Sequence, residues 1–288
     1  MKNNFQKKYT QWIVLIVFLV LDIFIWVAAI RADRHGELTV AFLDVGQGDA
    51  IYIEAPNGNQ LLIDGGPSAN VLLRDLSQVM PYYDRSLDLV FATHPDQDHV
   101  GGLPAVLDRM NVSGVVTTDN SANTGAYAAF EKMIQQKNIR HILARRGERF
   151  VLDSGVALDI IFPDRSVRGW ETNAGSIVAK LSYGNESFLF TGDSPQAIEK
   201  YLVAKDGSAL HATILKLGHH GSKTSSSPEF LSAVNPDEAV ISAGLNNRYG
   251  HPHKEVLDLL VRLKIPFLST IDHGTIVFKT DGNLLTVE

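Results

Sequence analysis

Residues 93–102, THPDQDHVGG, place two histidines and two aspartates within six positions, directly after the apolar run LDLVFA. Titratable groups at this density repel or desolvate one another unless a positive charge lies among them. Because successive residues of an extended chain alternate between its two sides, His94, Asp96 and Asp98 can share one face. Imidazole nitrogens and carboxylate oxygens are ligands of divalent metals. The stretch therefore predicts a metal site at a strand end, with a solvated helix-capping loop as the alternative.

Polar residues also follow other apolar segments of the chain. FLFTGD ends on Asp193, and ILKLGHHGS contains His219 and His220. GHPH contains His251 and His253. Six of the ten histidines lie in HPDQDH, GHHGS and GHPH. A single buried histidine is commonly a packed core residue, but polar endings on several separate strands indicate a shared site.

Composition narrows the chemistry. The chain of 288 residues contains no cysteine, which excludes disulfides, thiolate metal sites and a cysteine nucleophile. Its net charge of -6 lacks the basic footprint of proteins that grip nucleic acid through their overall field, so any such binding must be local. No phosphate-cradling glycine loop or serine-centred nucleophile elbow is present in the sequence.

The N-terminal region differs from the rest of the chain. Residues 12–30 are apolar apart from Asp22 and are long enough to cross a bilayer as a helix. Three lysines precede this segment, which favours an N-terminus inside and a body outside. We expect a cytoplasmic stretch 1–11, a transmembrane signal anchor 12–30, a linker 31–37 and an extracytoplasmic hydrolase domain 38–288. A buried core helix and a cleaved signal peptide are the alternatives.

The body has a layered α/β pattern. Short strand-like segments follow one another from residue 38, with the glycine-rich DVGQGD predicted as a hairpin connection. Helical spacing recurs at residues 103–110, 126–136, 195–203 and 254–263. Residues 225–227 before Pro228 predict a helix N-cap. Paired strands followed by strand–helix alternation indicate a mixed sheet or two sheets.

Several of these motifs resemble those of a known family. HPDQDH resembles the HxHxDH signature of the metallo-β-lactamase superfamily, with Asp96 in place of the middle histidine. The ordered set FLDVGQGDA, LLIDGG, THPDQDHVGGL, LFTGD, LKLGHHGS and ISAGLNNRYGHP is similar to the extracytoplasmic domain of ComEC-type DNA-uptake (competence) proteins. The resemblance implies a four-layer αββα sandwich with a dinuclear metal site at one edge.

The resemblance also implies two metal ions that share one carboxylate. The ligands carried over by position are His94, Asp96 and Asp193 for the first ion, and Asp98, His99, His219 and the shared Asp193 for the second. His220 is expected to buttress His219. The superfamily often has a further histidine before the shared aspartate, but ETNAGSIVAK has none, and Asn173 is the nearest candidate. We expect two divalent ions, Mn²⁺ or Zn²⁺, and the oxygen-rich first site favours a harder ion such as Mn²⁺ or Mg²⁺.

The remaining candidate residues surround these ligands. Asp49 and Asp64 resemble superfamily positions that hold metal loops through hydrogen bonds. Lys216, Asn247 and His251 lie where substrate could be met. Asp98 is the expected catalytic carboxylate, and His251 is expected to protonate a leaving group, with helix capping as its alternative role.

Two metals that share a carboxylate suit the cleavage of a phosphodiester. The resemblance therefore implies a membrane-anchored, ComEC-like nuclease or phosphodiesterase that acts on DNA outside the membrane. Full proteins of that type also carry a multi-spanning channel, so we expect a separate competence channel protein as a partner. The alternatives are a phosphorylcholine-type esterase or another hydrolase of this fold, and a catalytically inactive, metal-stabilised binding module.

Overall fold

The computed structural model of the protein describes residues 2–32 and 36–288, and residues 33–35 of the expected linker lie outside this range. The chain divides into two compact units, residues 1–36 and 37–288. The first unit contains one helix, α1 (Lys2–Ala32). Its segment Tyr9–Trp26 has a mean hydropathy of 2.0 over 18 residues, which is long and apolar enough to cross a membrane.

The second unit contains the strands and the remaining helices of the described residues. The strands are β1 (Leu38–Phe42), β2 (Ile51–Glu54), β3 (Gln60–Ile63), β4 (Ser86–Phe91), β5 (Asn111–Thr117), β6 (Arg140–Leu143), β7 (Arg149–Asp153), β8 (Val156–Phe162), β9 (Val178–Tyr183), β10 (Glu186–Phe190), β11 (Ile214–Lys216), β12 (Glu238–Ile241), β13 (Phe267–Ser269), β14 (Ile276–Thr280) and β15 (Leu285–Val287). The helices are α2 (Ala69–Val79), α3 (Gln97–Val100), α4 (Leu103–Arg109), α5 (Gly125–Gln136), α6 (Gln196–Asp206), α7 (Pro228–Val234), α8 (Lys254–Leu263) and α9 (Thr270–His273).

The strands form two sheets. Within residues 36–288, one sheet has eight strands in the order β15-β14-β1-β2-β3-β4-β5-β6, and the other has seven in the order β13-β12-β11-β10-β9-β8-β7. Strands β3, β4 and β5 run parallel in the first sheet, and β10, β11, β12 and β13 run parallel in the second. The carboxyl ends of neighbouring parallel strands lie at the same edge of a sheet, so the loops that follow them gather in one place.

Three apolar clusters define the layers. One lies between the sheets and includes the tilted and edge-on rings of Phe42, Phe190 and Phe278. A second packs α2, α4 and α5 against the outer face of the first sheet, and a third packs α6, α7 and α8 against the second sheet. A sheet covered on both faces needs apolar residues at consecutive positions, and all four residues of β3 are buried. The predicted αββα sandwich is confirmed.

Local signals in the sequence account for most of the helices. Helices α4, α5, α6 and α8 lie where apolar spacing predicts them. The Ser227 side chain accepts a hydrogen bond from the backbone N–H of Phe230, so the predicted cap before Pro228 is confirmed at the start of α7. Helix α2 was not predicted: Ser68 at its start makes no side-chain capping bond, and the helix depends on packing by Leu72 and Leu76.

A buried ion pair connects the two sheets beside the strand ends. The Lys216 Nζ lies 2.8 Å from Asp49 Oδ2, and the two side chains are 1% and 2% exposed. The same Nζ donates to the carbonyl of Leu217 at 2.9 Å. Burial alone would raise the pKa of Asp49, but the charges of Lys216 and His220 outweigh it and hold that pKa below its usual value. Lys216 is therefore the counter-charge of a buried carboxylate, and it does not face solvent.

Replacing this lysine should destabilise the fold. Lys216→Met leaves the buried Asp49 carboxylate without its cation, which costs about 3–5 kcal/mol of unfolding free energy. Denaturant titration of the metal-free full chain in detergent, followed by circular dichroism, measures this loss. Adding Asp49→Asn in the same chain removes the uncompensated charge and should restore part of the stability.

The matched control is Lys254→Met. Lys254 pairs with Asp258 at 2.6 Å, but the two side chains are 82% and 63% exposed. Exposed pairs contribute little to stability, so this variant should unfold almost as the parent does. Equal losses in the two variants would contradict the assignment of Lys216 as a buried counter-charge.

Candidate metal centre

Loops from both sheets bring histidines and aspartates together at one edge. His94 and His99 follow β4, Asp193 follows β10, and His219 and His220 follow β11. The strands end on the buried residues Phe91, Phe190 and Lys216. The side chains of His94, His99, Asp193 and His220 in the loops that follow are also buried. The chain segments that the sequence marked as strand ends therefore meet in space.

Four of these residues form the most compact group. One ligand atom from each of Asp98, His99, Asp193 and His220 lies within 4.8 Å of the others. The His99 Nε2 is 3.3 Å from Asp193 Oδ1. The His220 Nε2 is 3.5 Å from both Asp98 Oδ2 and Asp193 Oδ2. Imidazole nitrogens and carboxylate oxygens that face one another at these distances can surround one cation.

Asp193 also faces a second set of groups. The His94 Nε2 lies 3.8 Å from Asp96 Oδ2 and 3.8 Å from Asp193 Oδ2. The His94 and His99 rings are 4.0 Å apart between centroids, so the two sets are neighbours. The Asp96 Oδ2 also accepts a hydrogen bond from the Thr172 hydroxyl at 3.0 Å. Asp193 thus lies between the His94–Asp96 pair and the Asp98–His99–His220 group.

The donor atoms fit a divalent metal. Among the described residues, His94 Nε2, His99 Nε2, His220 Nε2 and Asp193 Oδ1 are buried without a hydrogen-bond partner. Although His99 Nε2 and Asp193 Oδ1 are close, they are not aligned for a hydrogen bond. An unpartnered buried polar atom costs about 1–3 kcal/mol, and four such atoms at one point indicate a missing partner. Nitrogen and carboxylate ligands of this kind bind metal ions.

The other ring nitrogens of these histidines are held by fixed partners. The His99 Nδ1 donates to Asp64 Oδ2 at 2.8 Å, and Asp64 also accepts from the Thr93 backbone N–H and hydroxyl. The His220 Nδ1 lies 3.0 Å from the carbonyl of Ser242 and 3.2 Å from Asp49 Oδ1. A proton on Nδ1 leaves Nε2 free as a ligand atom. Asp64 therefore holds the His99 ring by a hydrogen bond, and Asp49 lies beside the His220 ring.

Without a metal, protons compensate the negative charge of the cluster. Burial would lower the pKa of His220, but the charges of Asp193 and Asp49 outweigh it and raise that pKa to about 9. Burial likewise opposes ionisation of His99, and Asp193 and Asp64 still raise its pKa well above the usual value. Burial and the neighbouring His99 lower the pKa of His94 to about 3, so His94 is neutral. The carboxylates of the cluster therefore need positive charge beside them, which protonated His99 and His220 supply when no metal is bound.

The two adjacent histidines occupy different positions from those expected. We expected His219 to bind the metal and His220 to support His219. Both have left-handed backbones, with φ of 50° and 56°, and the sharp turn directs His220 inward. Its side chain is 1% exposed and belongs to the compact group, whereas that of His219 is 25% exposed, with Nε2 3.7 Å from Asp193 Oδ2. The geometry therefore favours His220 as the inner ligand and leaves His219 at the rim.

Three further candidates have distinct surroundings. The His251 ring lies 5.2 Å from that of His219 and 6.2 Å from that of His220, between centroids. Asn247 accepts hydrogen bonds from the backbone N–H groups of Tyr249 and His251, so it shapes the loop that carries His251. Asn173 follows Thr172, and its Oδ1 is buried without a partner. Lys216 instead forms the buried ion pair with Asp49, away from solvent.

Some residues that support the cluster were not predicted from the sequence and are identified by their hydrogen bonds in the fold. Gln47 Oε1 accepts from the Gly244 backbone N–H at 3.2 Å, and its Nε2 lies 3.5 Å from His251 Nδ1. Thr172 supports Asp96, which is 76 positions away in the chain. Thr93 immediately precedes HPDQDH, and Gln47 lies within DVGQGD. The positions of these two residues in the motifs could therefore have identified them. No spacing signal connects Thr172 with Asp96.

Gly48 shows why the DVGQGD loop is rich in glycine. Its φ is +137°, and a Cβ atom there would lie 2.1 Å from the backbone oxygen of Asp98. The following residue, Asp49, donates its N–H to that same oxygen at 3.3 Å. Only a glycine allows the loop to approach the ligand segment this closely.

Comparison with known proteins agrees with this fold. Residues 43–244 match the family described as the metallo-beta-lactamase superfamily. The chain is 28% identical over 256 residues to ComE operon protein 3 of Bacillus subtilis (83% of this chain and 33% of that protein). It is 32% identical over 248 residues to competence protein ComA of Neisseria gonorrhoeae (86% of this chain and 33% of that protein). The chain thus spans about a third of the length of these curated relatives.

A solved structure extends the agreement to three dimensions. Igni18, a metallo hydrolase of the hyperthermophilic archaeon Ignicoccus hospitalis, matches with a TM-score of 0.57 at 15% identity, over 84% of this chain and 98% of that one. At this identity the match concerns the fold alone. The family match covers most of the second unit, and the two sheets and the histidine–aspartate cluster agree with it. The chain therefore belongs to the metallo-β-lactamase superfamily.

Proposed function

We propose that the protein is a metal-dependent phosphodiesterase that cleaves DNA, anchored by α1 in the cell membrane with its second unit outside the cytoplasm. One observation carries the proposal: the buried Asp193 carboxylate faces two neighbouring sets of candidate metal-ligand atoms. A carboxylate shared by two metals is suited to in-line displacement at phosphorus, because the attacking and the leaving oxygen both need stabilisation.

The two sets differ in their donors. The first set would be His94, Asp96 and Asp193, and the second would be Asp98, His99, His220 and the shared Asp193. Bound divalent ions there would supply a nucleophilic water at neutral pH and stabilise charge on the phosphoryl oxygens. The first set has one imidazole and two carboxylates, and such oxygen-rich ligands favour Mn²⁺ over Zn²⁺.

In this proposal, Asp98 would contact the attacking water and His251 would contact the leaving oxygen. The Asp98 side chain is 26% exposed while one oxygen faces His220, so it can orient a water molecule at the mouth of the cluster. The Gly244 N–H occupies the amide oxygen of Gln47, which turns the amide nitrogen toward His251 Nδ1. That contact favours a neutral His251 ring with its hydrogen on Nε2, and this N–H can donate a hydrogen bond to a leaving or phosphoryl oxygen. Burial, together with the neighbouring His219, lowers the pKa of His251 to about 4, which also favours the neutral ring.

DNA as the substrate is supported by the competence proteins among the relatives and by the ordered motifs that the chain shares with their type. Because the chain matches about a third of those proteins, transport of DNA would need a separate channel protein.

Metal content should depend on the shared carboxylate. Asp193→Ala removes an oxygen from both sets, so the purified and dialysed full chain should lose both divalent ions. Elemental analysis against protein concentration measures the stoichiometry, with circular dichroism to confirm folding. Asp258→Ala, at an exposed carboxylate of α8, is the matched control and should keep the parental metal content. Full stoichiometry in a folded Asp193→Ala protein would refute the shared-ligand assignment.

Catalysis should require His251 without requiring it for metal binding. We expect His251→Ala to retain both ions and to lower kcat for single-stranded DNA by about 10²-fold or more, because a hydrogen bond to charge that develops in the transition state is lost. Mn²⁺ should support faster cleavage than Zn²⁺. Steady-state cleavage of a fluorescent oligonucleotide by the full chain in detergent measures both effects.

The control for this experiment is His273→Ala, at an exposed histidine of α9 far from the cluster in sequence, which should cleave like the parent. If the parent with two Mn²⁺ ions cleaves neither DNA nor a simple phosphodiester such as bis-p-nitrophenyl phosphate, the phosphodiesterase proposal fails. A metal-stabilised binding module would then be the better description of the protein.

The membrane orientation has its own test. The lysines at positions 2, 7 and 8 precede the apolar segment of α1, which favours an N-terminus in the cytoplasm. A reporter enzyme that is active only outside the cytoplasm should therefore be active in cells when it is fused after Glu288. Activity of a cytoplasm-only reporter at the same position would reverse the proposed orientation.

A further inference from the structure

The loop between β12 and α8 presents apolar and cationic side chains beside His251. Leu245 is 74% exposed and Tyr249 is 47% exposed, and the Arg248 side chain is exposed between them. We call these three residues the lip. Two large side chains, Leu245 and Tyr249, are thus exposed on one loop, and the Tyr249 ring adjoins His251.

The lip is held in a defined conformation. Asn247 Oδ1 accepts hydrogen bonds from the backbone N–H of Tyr249 at 3.1 Å and of His251 at 3.0 Å. Its Nδ2 donates to the carbonyl of Gly244 at 2.9 Å and also to that of His251. One side chain thus ties both ends of the loop together. The exposed side chains of the lip therefore project from a fixed backbone.

Aromatic stacking connects the lip with the metal centre. The Tyr249 ring is stacked against the His251 ring, with 5.6 Å between centroids and an interplanar angle of 20°. The Arg248 guanidinium lies 4.8 Å from the Tyr249 ring centroid, and its Nη2 donates to the Tyr249 hydroxyl. Flat π surfaces therefore continue outward from His251, and a guanidinium plane and a phenol ring are both surfaces on which a nucleic-acid base can stack.

Charge favours an anionic chain at this place. The hydrogen bond to the Tyr249 hydroxyl raises the pKa of Arg248, and the carboxylate of Asp98 contributes further. The guanidinium is thus within electrostatic reach of the cluster, in a protein with a net charge of -6. A phosphate next to the one at the metal centre would meet this local cation, as binding without an overall basic field requires.

We propose that the lip binds a nucleotide of a single-stranded polynucleotide, the one next to the phosphate that is cleaved. Its base would lie on Tyr249 and Leu245, and its phosphate would pair with Arg248. A base within a duplex is already stacked on both faces and cannot occupy such a surface, so the occupant must be unpaired. The inference rests on the proposed function, whose substrate class it narrows from DNA in general to single strands.

The test compares two substrates in each variant. The full chain in detergent with Mn²⁺ is assayed on a fluorescent single-stranded oligonucleotide and on methyl p-nitrophenyl phosphate, which lacks a base. Tyr249→Ala should lower kcat/KM for the oligonucleotide about 10- to 100-fold more than for the small diester, since one stacked base is lost. Tyr249→Phe keeps the ring and should retain most of the preference, and Arg248→Ala should weaken it and reduce its salt dependence.

Equilibrium binding provides an independent measurement. Anisotropy of the labelled oligonucleotide is measured in the Asp98→Asn background, where cleavage is suppressed, and Tyr249→Ala should raise Kd about 10- to 100-fold. A duplex of the same sequence should bind more weakly than the single strand. Tyr82→Ala and Arg262→Ala are the matched controls, because both side chains are exposed on other parts of the surface, and neither should change Kd.

The outcomes separate this inference from the proposed function. Equal losses on both substrates, an unchanged Kd in Tyr249→Ala, or duplex binding as tight as single-strand binding would overturn the inference even if the protein is a phosphodiesterase. If no phosphodiester is cleaved at all, the proposed function fails. The anisotropy series then still decides whether the lip binds single strands.

Discussion

Buried negative charge around Asp193 is the constraint on which the rest of this edge of the fold depends. Asp193 is buried and faces imidazole nitrogens from three other loop positions, His94, His99 and His220. A carboxylate away from water is stable only when positive charge lies beside it. Metal ions can supply that charge, and protonated histidines supply it otherwise. The raised pKa values of His99 and His220 express the same requirement.

The surrounding loops keep these groups in place. Asp64 fixes His99 from one side, and Asp49 fixes His220 while being compensated by Lys216. Asp49 belongs to the first sheet's loop and Lys216 to a strand of the second, so the ion pair joins the sheets where the cluster lies. Outer supports of this kind orient metal ligands and commonly affect metal affinity by 10- to 100-fold. The glycine-rich loop is thus part of the centre although it offers no inner ligand.

The candidate metal ligands and the exposed lip lie on different loops. The metal-ligand atoms come from segments that follow β4, β10 and β11, and their burial leaves little room for substrate contacts. The loop after β12 instead combines His251, at the margin of the cluster, with the exposed lip. If the proposed function holds, such a division would allow the substrate preference to change through one loop while the metal ligands stay the same. It also locates the greatest departure from the superfamily signature, Asp96, in the ligand set and not in the recognition loop.

Sequence patterns alone were enough to predict the fold class, the ends of the strands that carry polar residues, and most residues of the cluster. Apolar periodicity reports burial directly, and the motif HPDQDH places His94, Asp96, Asp98 and His99 next to each other along the chain. Helix α2 was not predicted because no side chain caps its start, and the helix depends on packing against the first sheet.

The roles of individual residues became clear from the packed fold. His219 and His220 are adjacent, and no pattern separates them; the left-handed turn makes one the inner group and leaves the other at the rim. Lys216 reads as a solvent-facing cation until its burial against Asp49 is known, and Thr172 reaches Asp96 across 76 positions. These outcomes depend on backbone direction and on contacts distant in sequence. A linear pattern cannot encode them, because the same residues could face either way until the sheets pack.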